Sequence, residues 1–245
     1  VRFFARTVLT SDGMLEAELS KLGADGTALW TTVLGAGQHN AAAALVTLSN
    51  GDVALAGTTN GALFRPNAAA QEAFVARFST AGDLLWGLQL SAQVQSYVYG
   101  LAVDSEDRLY VCGSTLGSDF NDGFVARVSP DGALDWVTSY GAAAADDLLV
   151  DLTVHGDGQV TVVGMTRGSF GTDGLGEEDA FVARIFPDGS LDQVIQYGTP
   201  QSDMSRGIAA APDGAFFVVG NTTGDLEDVD GFGSQDAYVL RVTPF

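Results

Sequence analysis

The sequence predicts an all-β fold, a β-propeller of four-stranded antiparallel blades with about four and a half blades present as an incomplete ring. Three observations predict it. One strand motif recurs five times along the 245 residues, a short turn and a second strand follow each of its first four copies, and a further hairpin of constant register separates one copy from the next. Self-similarity at a period of 50 to 57 residues signals stacked modules that bury their faces against one another.

The recurring strand reads Glu16–Leu22, Glu72–Phe78, Asp122–Val128, Asp179–Ile185 and Asp236–Val242, at spacings of 56, 50, 57 and 57 residues. Turn residues then lead to a second apolar run: Ala24-Asp25-Gly26 to Leu29-Trp30, Ala81-Gly82 to Leu85-Trp86, Pro130-Asp131-Gly132 to Leu134 and Trp136, and Pro187-Asp188-Gly189 to Leu191 and Gln193. Turn chemistry between apolar runs at this spacing makes hairpins. Trp30, Trp86 and Trp136 share one slot, which Gln193 fills in the fourth copy, and a tryptophan repeated once per module is expected to pack blade on blade.

The other hairpin turns at Asn50-Gly51, Glu106-Asp107, Asp157-Gly158 and Asp213-Gly214, and six residues after each turn's second residue stands Gly57, Gly113, Gly164 or Gly220. Leu45, Leu101, Leu152 and Ile208 align before the turn, and Leu55, Val111, Val162 and Val218 align after it, with the period of two expected of strands. Cys112 occupies an apolar slot held elsewhere by Ala56, Val163 and Val219 and reads as a small core residue. The modules run roughly 1–34, 35–90, 91–140, 141–197 and 198–245 within one repeat-built domain of about 18 strands. Arg2–Thr7 aligns with the strand that ends at Thr222, so the chain opens in mid-module, and its start at Val1 is read as that of a processed or partial product. A β-sandwich does not require near-identical modules, and the coil of a β-helix is normally shorter.

Composition narrows function. A net charge of −20 repels polyanions at long range, which argues against nucleic acid as a partner. A single cysteine excludes an intrachain disulfide, and no apolar run is long enough for a transmembrane segment.

The residues that carry chemistry elsewhere form no recognisable centre here. His39 and His155 are the two histidines, neither at metal-ligand spacing, and His155 reads as an exposed turn residue. Ser114, Ser169 and Ser234 read as loop residues without a nucleophile elbow, and Lys21, the sole lysine, belongs to no phosphate-binding loop. Acidic connections at 171–179 and 225–236 could wrap Ca²⁺, but the spacing of their carboxylates departs from that of a calcium loop. A carboxylate pair such as Asp146 and Asp147, or Asp203, is the one candidate for a hydrolase or lyase, and Asp146 and Asp203 are aligned in one slot after their Tyr-Gly pairs. The acid at 16, 72, 122, 179 and 236 outlasts changes in the loop before it and is expected to accept loop N–H bonds at the strand start. Its companion cation, Lys21, Arg77, Arg127, Arg184 and Arg241, is expected at blade contacts or strand ends.

Across Asp131–Trp136, Tyr140-Gly141, Asp146-Asp147, Val154–Gly158, Val162–Thr166 and Asp179–Arg184 the sequence resembles the SBBP family of bacterial-type, seven-bladed β-propeller repeats, over nearly the whole chain. The resemblance implies an extracytoplasmic or surface protein with repeat modules inside a larger chain, and it brings no catalytic residues. Catalytic, cofactor and metal sites are therefore all assigned as none. The expected function is a non-enzymatic scaffold or protein-interaction module outside the cytoplasm, part of a larger protein or a subunit of a larger complex. Its recognition surface would be the loops 61–71, 116–121, 167–178 and 223–235, with protein or glycan partners. A calcium-dependent adhesion or glycan-binding segment is the alternative.

Overall fold

A computed structural model describes residues 2–35, 38–90, 95–117, 119–171, 173–211, 213–225 and 234–243. Among these residues there are 18 strands in five antiparallel sheets and no helix, and so none long and apolar enough to cross a membrane. The sheets are β1 (Arg2–Leu9), β2 (Leu15–Leu22) and β3 (Ala28–Leu34); β4 (Asn40–Thr47), β5 (Val53–Thr59), β6 (Glu72–Phe78) and β7 (Leu84–Leu90); β8 (Gln95–Val103), β9 (Leu109–Leu116), β10 (Asn121–Val128) and β11 (Leu134–Tyr140); β12 (Asp147–Val154), β13 (Val160–Thr166), β14 (Asp179–Ile185) and β15 (Leu191–Tyr197); and β16 (Asp203–Ala210), β17 (Phe216–Thr222) and β18 (Asp236–Val242). Each sheet is an up-and-down meander, the blade of a β-propeller. The first sheet contains the second, third and fourth strands of a blade, and the last contains the first, second and third.

The turns form where the sequence supplies residues that tolerate positive φ. Gly51, Gly158 and Gly214 take it in one hairpin and Gly26, Gly82, Gly132 and Gly189 in the other, while Asp107 stands in for glycine at φ 60°. The glycines six residues beyond the turns have a different task. Gly57, Gly164 and Gly220 pair with Phe74, Phe181 and Tyr238 of the next strand, whose rings lie over the bare backbone. A Cβ on Gly164 would sit 1.9 Å from the Leu148 carbonyl oxygen and 2.8 Å from the Phe181 ring. The aromatic and the glycine of adjacent strands are one packing device.

The chain divides into two compact units, Val1–Val111 with Arg127–Asp135, and Cys112–Ala126 with Trp136–Phe245. In the first, the sheets β1–β3 and β4–β7 meet through Ala17, Leu19, Leu34, Val53, Leu55, Phe74, Ala76 and Phe78, with Trp30 against the cluster. The Trp30 indole N–H donates to the Thr80 carbonyl at 3.1 Å and its ring covers Gly82, and Trp86 repeats this on the Pro130 carbonyl and Gly132. In the second unit, Val163, Val182 and Val218 form a core flanked by Val150, Tyr197, Ile208 and Val242, and Trp136 donates to the Pro187 carbonyl over Gly189. Each tryptophan thus seats on the glycine turn of the following blade, as its slot in the repeat predicts, and a larger residue at that turn would collide with the indole.

The repeated cation divides its work. Lys21 donates to the Thr80 carbonyl and Arg77 to the Pro130 carbonyl, both across blades. Arg77 also pairs with Asp52, and Arg127, Arg184 and Arg241 pair with Asp135, Asp192 and Asp213 inside their own sheets. Cys112 is buried in β9.

Candidate functional site

The recurring acid opens the third strand of each blade, where the loop from the second strand arrives. In the second blade Glu72 is wholly buried, and its Oε1 accepts from the Ala68 and Ala69 N–H groups at 2.8 and 3.2 Å. Gln89 on the neighbouring β7 reaches the same place: its amide nitrogen donates to Glu72 Oε2 at 2.9 Å, and its amide oxygen accepts from the Phe64 and Arg65 N–H groups. Arg65 Nη2 completes the arrangement 3.0 Å from Glu72 Oε2. The fourth blade repeats it. Asp179 Oδ2 accepts from the Leu175 N–H and from Gln196, which also holds the Gly168 carbonyl and the Phe170 N–H. Phe64 and Phe170, the loop residues held by the glutamines, pack edge-on against Phe74 and Phe181. An acid and a glutamine therefore lock each long loop, 60–71 or 167–178, at its base.

The third blade lacks the lock. Strand register places Ser139 where Gln89 and Gln196 stand, and the loop shrinks to 117–120. Asp122 is exposed rather than buried, Phe120 is 44% exposed, and a cleft of about 560 Å³ opens between Gly117, Asp119, Phe120, Asp122, Ser139, Tyr140 and the segment 141–145. On its wall Ala144 holds a left-handed backbone, φ 59°, which strains a residue with a Cβ.

Beneath this wall lies Asp147. It is completely buried, its Oδ2 accepts from the Ala142 N–H at 2.8 Å, and its Oδ1 has no hydrogen-bond partner among the described residues. A Cβ on Gly141 would stand 2.4 Å from Asp147 Oδ2 and 3.1 Å from Asp122 Oδ1, so the two carboxylates face one glycine. Burial, with the charges of Asp122 and Asp146, pushes the Asp147 carboxyl up to about 6. Asp179 and Asp203 face Gly198 in the same way.

Three sequence expectations are corrected here. Asp147 pairs with Thr166 as Asp203 pairs with Thr222, so Asp147, not Asp146, shares the Asp203 slot; one extra residue between Gly141 and the strand misleads an alignment on Tyr-Gly. Asp146 instead accepts from the Asn121 N–H. His155 is half-buried, edge-on to Phe216 with centroids 5.1 Å apart and hydrogen-bonded to the Thr161 hydroxyl, and burial pulls its pKa down. Ser114 is buried inside β9 rather than placed in a loop, because the strand runs on to Leu116. The expectation that the repeated acid accepts loop N–H bonds holds at Glu72 and Asp179. The glutamine and serine of the last strand were missed, although their alternation at 89, 139 and 196 follows from the same alignment.

His39 accepts from the Leu15 N–H, and Ser169 from the Gly174 N–H. Of the acidic connections, Glu178 pairs with Arg167, and residues 226–233, with most of the second connection's carboxylates, lie outside the described residues. Among the described residues no three His, Cys, Asp or Glu side chains gather at metal-ligand range.

The SBBP family, described as a β-propeller repeat, matches residues 85–121. No curated protein matches the sequence. Among solved structures, a protein of unknown function from Bacteroides caccae is 12% identical with a TM-score of 0.53, over 98% of this chain and 73% of its own. A luciferin-regenerating enzyme is likewise 12% identical with a TM-score of 0.51, over 98% of this chain and 77% of its own. At such identity the likeness is one of fold alone. Sheet topology and repeat register make the described residues an array of β-propeller blades, one stretch of which, residues 85–121, matches the SBBP β-propeller repeat.

Proposed function

We propose that the chain is a non-enzymatic interaction scaffold acting outside the cytoplasm, which recognises protein partners through the loops between the second and third strands of its blades. The observation that carries this reading is the acid–glutamine lock, which fastens loops of unlike sequence to the same two framework positions. A loop held at its base presents a defined surface at low entropic cost. The extracytoplasmic setting rests on the SBBP resemblance. His39 accepts from a main-chain amide, and the Thr161 hydroxyl that meets His155 is wholly buried.

The test is replacement of 61–71, 167–178 and 223–235 by short glycine-serine turns, with 116–121 scrambled, followed by affinity measurement against partners captured by the native protein. Circular dichroism and melting temperature verify the fold. Loss of binding is the expected result. Undiminished affinity for every partner would remove the loops from recognition.

A further inference from the structure

The repeat keeps one extra residue in the first strand of its blades. Strand pairing skips Ala43 in β4, Val150 in β12 and Arg206 in β16, a β-bulge in each case. Tyr99 of β8 stands in the same slot, two residues before Leu101 as the others stand before Leu45, Leu152 and Ile208. A bulge re-aims its side chain. The first strands of neighbouring blades lie against one another, β4 with β8 and β12 with β16, as do the strands that line the central channel of a β-propeller. Alanine, tyrosine, valine and arginine share no packing role at this slot, and Ala43, Tyr99 and Arg206 are exposed.

At Arg206 three neighbouring slots depart from the repeat together. Ser205 takes the place of Ala42 and Leu149, Asn221 that of Thr58 and Met165, and Tyr238 that of Phe74 and Phe181. The new polar groups hold the arginine. Ser205, wholly buried beside it, is pinned by the Tyr197 hydroxyl at 2.7 Å, which also lies 3.4 Å from that of Tyr238. Arg206 Nε donates to Asn221 Oδ1 at 2.8 Å, and its Nη2 lies 3.4 Å from Met204 Sδ. Arg6, Arg77, Arg127, Arg184 and Arg241, one in each sheet, meet a carboxylate, whereas Arg206 meets none among the described residues. Asp151 of the adjoining β12 is taken by the Leu152 and Ile208 N–H groups.

We propose that Arg206 and Asn221 bind a carboxylate presented by a protein partner. The inference rests on the scaffold reading and adds to its loops a recognition point on the framework. Because Asn221 Oδ1 accepts from Arg206, its amide nitrogen is left as a donor beside the guanidinium, and the pair offers a ligand donors alone. A carboxylate accepts from such a fork with both oxygens. In a chain of net charge −20, one guanidinium without an acid partner suits a monoanion better than a phosphate dianion.

The experiment titrates ¹⁵N-labelled protein with N-acetyl-glutamate-N-methylamide, following the Arg206 Nε–H, the Asn221 side-chain amide and the Gly207 main-chain amide. The glutamine analogue, inorganic phosphate and glucuronate are the comparison ligands. Saturable shifts with the capped glutamate, absent with the glutamine analogue and weaker with phosphate and glucuronate, are expected. Arg206→Gln should abolish them. Arg206→Lys, which keeps the charge and loses the fork, and Asn221→Thr, which restores the side chain of the second blade, should each lower affinity about tenfold. Melting temperature verifies the fold of every variant. No saturable shift, equal response to the glutamine analogue, tighter binding of phosphate or glucuronate, or affinity undiminished in Arg206→Gln would each overturn the proposal. If Arg206→Gln leaves glutamate binding intact while loop replacement abolishes partner capture, this inference fails and the scaffold reading stands. If Arg206→Gln abolishes glutamate binding while loop replacement leaves every partner bound, the loops fail and this inference stands.

Discussion

Replacing Asp147 by Asn should stabilise the protein at neutral pH and leave it unchanged in acid. Asp147 is buried without a countercharge among its hydrogen-bond partners, and its carboxyl is raised from 3.8 to about 6 in the folded chain. A group whose pKa is raised by folding binds more protons in the native than in the unfolded state, so stability falls as pH rises between the two values. The difference of roughly two pKa units, at about 1.4 kcal/mol each, corresponds to about 3 kcal/mol lost between pH 4 and pH 6 and not regained above it. The fold already accepts the neutral residue: Asn40 occupies the same slot in the second blade, wholly buried, accepting from the Thr59 hydroxyl and donating to the Gln38 carbonyl. Urea denaturation from pH 4 to pH 8 measures the effect. The variant should match the native protein near pH 4 and exceed it by up to about 3 kcal/mol at pH 8. Parallel curves across this range, or a variant less stable at pH 8, would refute the claim that an uncompensated carboxylate lies at this position.

Other outcomes follow from the same register. His155 behaves in the opposite sense, because burial lowers its pKa: stability present above about pH 6.5 is lost as pH falls through the lowered folded value, and His155→Gln should flatten that limb of the pH profile. Gly164→Ala drives a methyl into the Leu148 carbonyl and the Phe181 ring, and should lower the stability measured in urea by about 3 kcal/mol, whereas Gly156→Ala, with open space around it, should cost far less. Gln196→Leu removes the partner of the Phe170 N–H and one donor to Asp179, at a cost of about 2 to 4 kcal/mol, and limited proteolysis should then cut within 167–178 sooner than in the native protein.

The blades were legible because each depends on residues that must recur. A turn that requires positive φ keeps Gly or Asp at its apex, a ring over bare backbone keeps Gly57 opposite Phe74, and an indole seated on a glycine turn keeps Trp30 facing Gly82. Each constraint is local in the repeat, so aligning the chain on itself exposes it. The cleft was not legible, because it arises from what one module lacks. Ser139 is an ordinary strand residue until Gln89 and Gln196 are seen holding loops from its position, and Asp122 differs from Asp179 in sequence by nothing that announces its exposure. The slot of Asp147 escaped for a simpler reason. A connection one residue longer is invisible to a motif but is resolved by strand pairing with Thr166.

The lock at the base of the long loops makes novelty cheap in mutational terms. In the second and fourth blades a single framework glutamine holds its loop shut against the sheet, and in the third a serine at the same register, with a shorter loop, accompanies an open cleft. In an array of near-copies, duplication multiplies closed modules, and a module that loses both the glutamine and the long loop it holds, as the third has, stands open. An array built this way can change how many open clefts it has, and in which blades, while the rings, glycines and tryptophans that stack its sheets stay as they are.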